Sequence, residues 1–146
     1  MVVPSTDIRA RTVQKSASWI LVIEKDGAGS VELEFEAVYE PKYAGIGPNL
    51  ACWSANELAI VEGESLRTHR VRCREFIQSA LLLDETRLCV VCDTYVSVIT
   101  LGEWRERIVL DNDEIFVTAV WNGSILTLTD IQGKVSTVPL FFASGV

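Results

Sequence analysis

Apolar and polar positions along this chain follow a pattern that occurs three times: an apolar triplet, a tight polar turn and a second apolar run. The three copies cover residues 51–61, 81–91 and 119–128. Short apolar runs bounded by turn residues are typical of antiparallel hairpins. The pattern therefore predicts three β-hairpins, and it carries no chemistry of its own.

A fourth hairpin is predicted over residues 19–39, where two apolar stretches flank the link Asp26-Gly27-Ala28-Gly29. In the second stretch, residues 31–39, apolar side chains occupy the odd positions and Glu32, Glu34 and Glu36 occupy the even ones. Because successive side chains of a strand point to opposite faces, one face of this strand should be buried and the other solvated.

Further strands are predicted at residues 8–13, 66–73, 95–101, 104–110 and 134–140. Together with the hairpins they give about ten to twelve short strands in one all-β domain spanning residues 1–146. Residues 41–48, with two glycines between two prolines, are expected to form the longest irregular connection. For residues 72–83 the apolar spacing also fits a helix, which stays an alternative to a strand.

The apolar C-terminal segment Pro139-Leu140-Phe141-Phe142 needs cover from water. We expect it either to pair with the strand at residues 8–13, which would protect both sheet edges, or to pack against its own core.

The strand-turn-strand units resemble the blades of WD40-like β-propeller proteins, most clearly over residues 116–138 and less clearly over residues 76–101. The Gly-His and Trp-Asp dipeptides of WD40 repeats are missing from these units, whose starts at residues 51, 81 and 119 are unevenly spaced. A closed propeller needs at least four blades, and this chain has material for about three and a half. The resemblance therefore implies an antiparallel meander that stays open, closes as a barrel or sandwich, or completes a ring with another copy.

Composition narrows the classes of partner. The net charge of −7 and the isoelectric point near 4.7 disfavour binding to nucleic acid or to an anionic membrane, which would both repel the protein. No apolar stretch approaches the roughly 18 to 20 residues that span a bilayer, and Met1-Val2-Val3-Pro4 does not resemble the start of a signal peptide. We therefore expect a cytoplasmic protein whose partner is another protein or a second copy of itself.

Cys89-Val90-Val91-Cys92 is the one motif with a possible chemical meaning, because Cys-x-x-Cys can bind zinc or cycle through a disulfide. Residues three apart in a regular strand point to opposite faces, so both sulfurs reach one metal only if Cys92 already belongs to the following turn. The favoured interpretation is that these two cysteines, with Cys52 and Cys73, are buried thiols, and that the protein has no metal or cofactor.

Two further features are candidate binding residues. Arg70, Arg72 and Arg74 share one face of a predicted strand and could bind a carboxylate-rich or phosphorylated partner. The alternative is pairing within the chain, with this strand lying beside the strand that carries the even-numbered glutamates. Trp104, flanked by charged residues, is predicted to be a surface residue, whereas Trp53 and Trp121 are expected in the core.

The first functional hypothesis is a non-enzymatic all-β module that binds another protein or acts as a scaffold. It depends on the predicted architecture and on the lack of a catalytic motif, since His69 is the one histidine and no nucleophile elbow accompanies it. The alternatives are a β-barrel or sandwich that binds a small ligand near tryptophan and tyrosine side chains, and a zinc enzyme or zinc-structured domain that uses Cys89 and Cys92.

Overall fold

A computed structural model describes residues 8–27 and 29–140, and throughout these residues the chain is all-β, with fourteen strands and no helix. The strands form four antiparallel sheets, each built from strands that follow one another along the chain, and none of the four sheets closes into a barrel. The predicted all-β antiparallel meander is confirmed, with fourteen strands in place of ten to twelve.

The first two sheets have three and four strands. The first contains β1 (Ile8–Gln14), β2 (Trp19–Lys25) and β3 (Gly29–Phe35). The second contains β4 (Lys42–Ile46), β5 (Asn49–Ser54), β6 (Glu57–Val61) and β7 (Thr68–Arg72).

The last two sheets have four and three strands. The third contains β8 (Ile77–Asp84), β9 (Arg87–Cys92), β10 (Tyr95–Thr100) and β11 (Glu106–Asp111). The fourth contains β12 (Phe116–Trp121), β13 (Ile125–Asp130) and β14 (Val135–Pro139).

Residue contacts divide the chain into two compact units, with the boundary between Ile77 and Gln78. In the first unit, sheets β1–β3 and β4–β7 bury one shared core, because alternate side chains of each sheet point inward. Its buried members are Leu21, Ile23, Leu33, Phe35, Leu50, Cys52, Ala59, Val61 and Leu66. The prediction of one domain over residues 1–146 stays a prediction.

The second unit repeats this arrangement with sheets β8–β11 and β12–β14. Their shared core contains Cys89, Val91, Val96, Val98, Phe116, Leu126, Leu128, Val138 and Leu140. Of the two expectations for the C-terminal segment, packing against its own core holds for Leu140. The strand at residues 8–13 pairs instead with β2, and Phe141 and Phe142 lie outside the described residues.

Turn chemistry explains where the hairpins reverse. The side-chain carboxamide oxygen of Asn122 accepts hydrogen bonds from the amides of Ser124 and Ile125, at 2.9 and 2.7 Å, and Gly123 between them has a φ of 99°. Asn side chains favour such turns, and glycine adopts positive φ without steric cost. The Asn-Gly pair therefore ends β12 and starts β13.

All three repeated hairpins form as predicted, as β5–β6, β8–β9 and β12–β13. In β3 the alternation also holds, since Leu33 and Phe35 are buried while Glu32 and Glu34 are exposed. The strand ends at Phe35, however, so Tyr39 lies beyond it and is about half exposed.

Two expectations were wrong. The segment predicted as the longest irregular connection, residues 41–48, contains β4, which pairs with β5 across a two-residue turn at Gly47-Pro48. The glycines and prolines there mark only the turn and the strand ends. Residues 72–83 contain no helix, because from Ile77 onward they form β8, and hairpin pairing with β9 requires extended backbone.

Across the described residues, no helix is long and apolar enough to cross a membrane.

Candidate binding surfaces

The cysteines are buried thiols. All four are free and buried, and burial raises the pKa of Cys52 and of Cys89 to about 12. A thiol with such a pKa carries almost no thiolate at neutral pH, and thiolate is the nucleophilic and metal-binding form. Cys92 is the last residue of β9 and not part of the following turn, so its side chain and that of Cys89 leave opposite faces of the strand.

The arginines of β7 are paired within the first unit. Arg72 Nη2 lies 2.8 Å from Glu57 Oε1, and Arg70 Nη1 lies 3.6 Å from Glu57 Oε2. The Arg70 guanidinium also lies over the Phe35 ring, 5.4 Å from its centroid. Arg74 follows the end of the strand and is exposed.

The proposed neighbour of these arginines was wrong, because β7 pairs with β6 while the glutamate-bearing β3 pairs with β2 in another sheet. Glu57 of β6, directly opposite Arg72, is the partner instead. Glu34 and Glu36 still line the same cleft of about 420 Å³ as Arg70 and Arg72. With three glutamates around two arginines, this cleft has little positive charge left for an anionic ligand.

The histidine belongs to the same strand. His69 Nε2 lies 2.6 Å from Glu62 Oε2, and this hydrogen bond is the main cause of a lowered pKa of Glu62. A hydrogen bond to the charged form of a carboxyl group favours that form. His69 is therefore engaged in a local contact that fastens β7 to the segment after β6.

Trp104 lies in the second unit, in the turn between β10 and β11. Its side chain is half-buried, its φ is 57°, and its backbone N–H donates to the Thr100 carbonyl at 3.0 Å. The residues on either side of it, Glu103 and Arg105, line a cleft of about 680 Å³ together with Arg87 and Arg107.

The charged groups of this cleft are only partly paired. Asp84 Oδ2 accepts from Arg87 Nε at 2.8 Å, and Glu106 accepts from the Tyr95 hydroxyl at 2.8 Å. Arg105 and Arg107 make no hydrogen bond or ion pair with the residues that the structure describes. Guanidinium groups bind carboxylates and phosphates, but at an exposed surface solvent screens the attraction.

The outer face of sheet β12–β14 is free of charge. Cross-strand pairing places its side chains in three rows: Thr118–Thr129–Val135, Val120–Thr127–Thr137 and Ile125–Pro139. We call these eight residues the threonine face. Val120 is 62% exposed, Val135 59% and Ile125 36%. In these three strands the one charged residue is Asp130, whose carboxylate is buried and accepts from the amides of Gln132 and Lys134.

Nine residues of the first unit line a cleft of about 300 Å³, which we call the aromatic cleft because four of them carry rings: Tyr39, Pro41, Trp53 and Phe76. The other five are Glu40, Lys42, Ser54, Ala55 and Ile77. The Tyr39 and Phe76 rings pack edge to face, with centroids 5.0 Å apart and planes at 84°. Trp53 is 7% exposed, and its indole N–H has no acceptor among the described residues. A buried donor without a partner costs about 1–3 kcal/mol.

Sequence reasoning placed Trp53 in the core, which its burial confirms, but it did not find the aromatic cleft. Tyr39 follows β3, Pro41 precedes β4 and Phe76 precedes β8, so the cleft joins residues far apart along the chain. No local spacing relates such positions. The threonine face could have been found, because residues 115–129 contain no charged side chain.

No family model matches this chain, and a search of curated proteins gave no match.

Proposed function

We propose that this chain is a non-enzymatic protein-interaction module that binds through the threonine face. The observation that supports this most directly is the charge-free surface of β12–β14, with Val120 and Val135 more than half exposed. Monomeric soluble proteins usually place charges on a solvated sheet face, and exposed apolar patches mark interaction sites.

The size of the threonine face sets the strength of the interaction. Three strands about 4.8 Å apart and about five residues long present about 250 Å². A stable complex buries about 800 Å² on each partner. Ile115 and Ile131, joined by a backbone hydrogen bond of 2.8 Å at the end of the sheet, extend the patch and are 45% and 61% exposed. We expect weak binding that other surfaces must strengthen.

The blade-like organisation is part of the proposal. Each of the four sheets is a meander of three or four consecutive strands, as in propeller blades, and this supports the resemblance. A blade in a propeller packs its face against the next blade. A second copy that lays its own sheet on the threonine face is therefore the first partner to test.

The test is light scattering and sedimentation of the full chain over increasing concentration. We expect reversible association that Val120→Lys abolishes, since a buried lysine without a partner is strongly disfavoured. The matched control is Val38→Lys in the first unit, where the valine is 80% exposed and lies outside the face. A strict monomer whose binding of an apolar-surface dye is unchanged by Val120→Lys would contradict the proposal.

The ligand-binding alternative keeps one supporting observation. None of the four sheets closes into a barrel, so a barrel interior does not exist in these sheets. The aromatic cleft lies instead at the surface of the first unit and is the place where a ligand would bind.

A further inference from the structure

The aromatic cleft is held in shape by hydrogen bonds made by its lining residues and by Trp19. The Ser54 hydroxyl donates to the Tyr39 carbonyl at 2.7 Å, and the Trp19 indole donates to the Val38 carbonyl at 3.3 Å. The amide of Ile77, next to Phe76, donates to the Ala55 carbonyl at 2.7 Å. Both edges of the cleft are thus fixed before any ligand arrives, which lowers the entropic cost of binding.

The chemistry of the walls defines what a ligand must offer. Flat aromatic rings and a prolyl ring favour another ring. The volume of about 300 Å³ is at the lower end for ligand sites, so the cleft admits one ring and the group next to it.

A positive charge lies beside the indole. Lys42 is the direct cross-strand partner of Trp53, so both side chains project from the same face of the sheet. Lys42 is exposed and makes no ion pair with the described residues. The Glu40 carboxylate also lines the cleft, and a hydrogen bond from the Thr12 hydroxyl orients it. A ligand with a carboxylate next to its ring would therefore complement Lys42.

From these features we propose that the aromatic cleft binds a short extended peptide in which proline adjoins an acidic residue. A polyproline-type segment has no internal hydrogen bonds and is already extended in solution, so little conformational entropy is lost when it binds. Its pyrrolidine ring packs on Tyr39 and Phe76, and its carboxylate pairs with Lys42. This site is separate from the threonine face and does not depend on the function proposed for that face.

The experiment uses the isotope-labelled full chain and a blocked peptide, acetyl-Ala-Pro-Pro-Glu-Pro-Ala-amide, followed by nuclear magnetic resonance. The protein has four indole N–H signals, and Trp53→Phe identifies the one from Trp53. We expect that signal to shift and saturate, because the Trp53 side chain lines the cleft. A peptide with alanine for proline should bind about tenfold more weakly, and one with glutamine for glutamate about threefold more weakly.

Matched variants separate recognition from stability. Tyr39→Ala should weaken binding about fivefold, whereas Tyr43→Ala, which removes a similarly exposed tyrosine outside the cleft lining, should not. Lys42→Gln should weaken binding as much as removal of the peptide carboxylate does, and the exposed Lys15→Gln should have no effect. Val120→Lys should leave peptide affinity unchanged.

Three results would overturn the assignment. The first is a Trp53 indole signal that does not move at millimolar peptide. The second is equal affinity for the alanine-substituted peptide, or equal weakening by Tyr43→Ala and Tyr39→Ala. The third is a shift produced by cellobiose and by no peptide, which would make the cleft a sugar site.

Discussion

The two three-stranded sheets, β1–β3 in the first unit and β12–β14 in the second, share one topology and differ in their outer faces. Each has three antiparallel strands in chain order, and each turns a leucine of its central strand, Leu21 or Leu126, into the core of its unit. The inner faces of the two sheets are therefore alike, because both bury apolar side chains in the core of their unit.

On the outside they differ. The outer face of β1–β3 carries arginines and glutamates, including the pair Arg11–Glu24 at 3.5 Å, and Arg9 at its rim pairs with Asp26 at 3.0 Å. Its central valine, Val22, is only 7% exposed. The threonine face has no charge, and its Val120 is open to solvent. The backbone topology therefore sets the inner face, while the side chains of the outer face decide whether a sheet is suited to water or to a partner.

The matched leucines give the largest expected effect. Leu21→Ala and Leu126→Ala should each lower the free energy of unfolding by about 3 kcal/mol, because each removes a fully buried side chain and leaves a cavity. Hydrogen exchange, measured residue by residue, would show the loss in the unit that carries the substitution. Val117→Ala, at an exposed position, is the control. A cost below about 1 kcal/mol at either leucine would contradict the equivalence of the two inner faces.

Gly63→Ala should destabilise the first unit. A Cβ on Gly63 would lie 1.9 Å from the Pro48 carbonyl oxygen, so the backbone must shift, at a cost of about 2–3 kcal/mol. Urea unfolding followed by signals from each unit would measure it. The neighbouring exposed residue supplies the control, Glu64→Ala, which should change stability by less than about 0.5 kcal/mol. Equal losses for the two variants would show that the close approach does not exist.

The hairpins and the inner faces follow from local sequence, which is why they could be predicted. An Asn-Gly turn such as Asn122-Gly123 and the alternation around Leu33 act over a few residues. The aromatic cleft could not be predicted, because Tyr39 and Phe76 meet only through the pairing of β5 with its neighbours and through the path of the chain before β8. Contacts between residues so far apart along the chain produce no periodic pattern in the sequence.

The strand that supplies the partner of the β7 arginines could not be predicted from the sequence either. The sequence indicated that the arginines of β7 would pair with glutamates, but it suggested the wrong strand, because β3 carries a period-two row of glutamates whereas β6 carries only Glu57. Which strand becomes the neighbour is decided by sheet order. Glu57 forms ion pairs with both Arg70 and Arg72, but no local sequence pattern marks it as their partner.

Acid should lower the stability of the second unit by protonating Asp130, the buried last residue of β13. A hydrogen bond from Asn112, followed by those from the amides of Lys134 and Gln132, lowers the pKa of Asp130 below its ordinary value of 3.8. A carboxyl group with a lowered folded-state pKa stabilises the protein above its unfolded-state pKa. That contribution disappears as the pH falls from about 4 through the folded-state value.

Asp130→Asn should therefore reduce stability at pH 7 and flatten the loss of stability on acidification. Urea unfolding of the second unit at a series of pH values from about 6 to 2 measures both effects. Asp113→Asn, at an exposed position in the connection between β11 and β12, should keep the wild-type acid profile. If Asp130→Asn kept the same acid profile as the parent chain, the carboxylate would not be the titrating group of this turn.

The smallest effect is expected when a charge pair is moved from the outer face of β1–β3 to the threonine face. This change compares the two outer faces directly. Arg11 lies on an edge strand opposite Val22, and Glu24 is two residues along the central strand. Val120 and Thr129 have the same diagonal relationship across β12 and β13. Val120→Arg with Thr129→Glu therefore reproduces the pair of the first sheet on the threonine face.

Double-mutant cycles should give a coupling of about 0.3 kcal/mol for the native pair and for the transplanted pair, because both lie in solvent. High salt should reduce both couplings, since screening shortens the reach of exposed charges to a few ångströms. Association through the threonine face should be lost in the transplanted variant while its stability is unchanged. A loss of more than about 1 kcal/mol would instead mean that Val120 or Thr129 is covered in the folded chain, and the contrast between the two outer faces would fail.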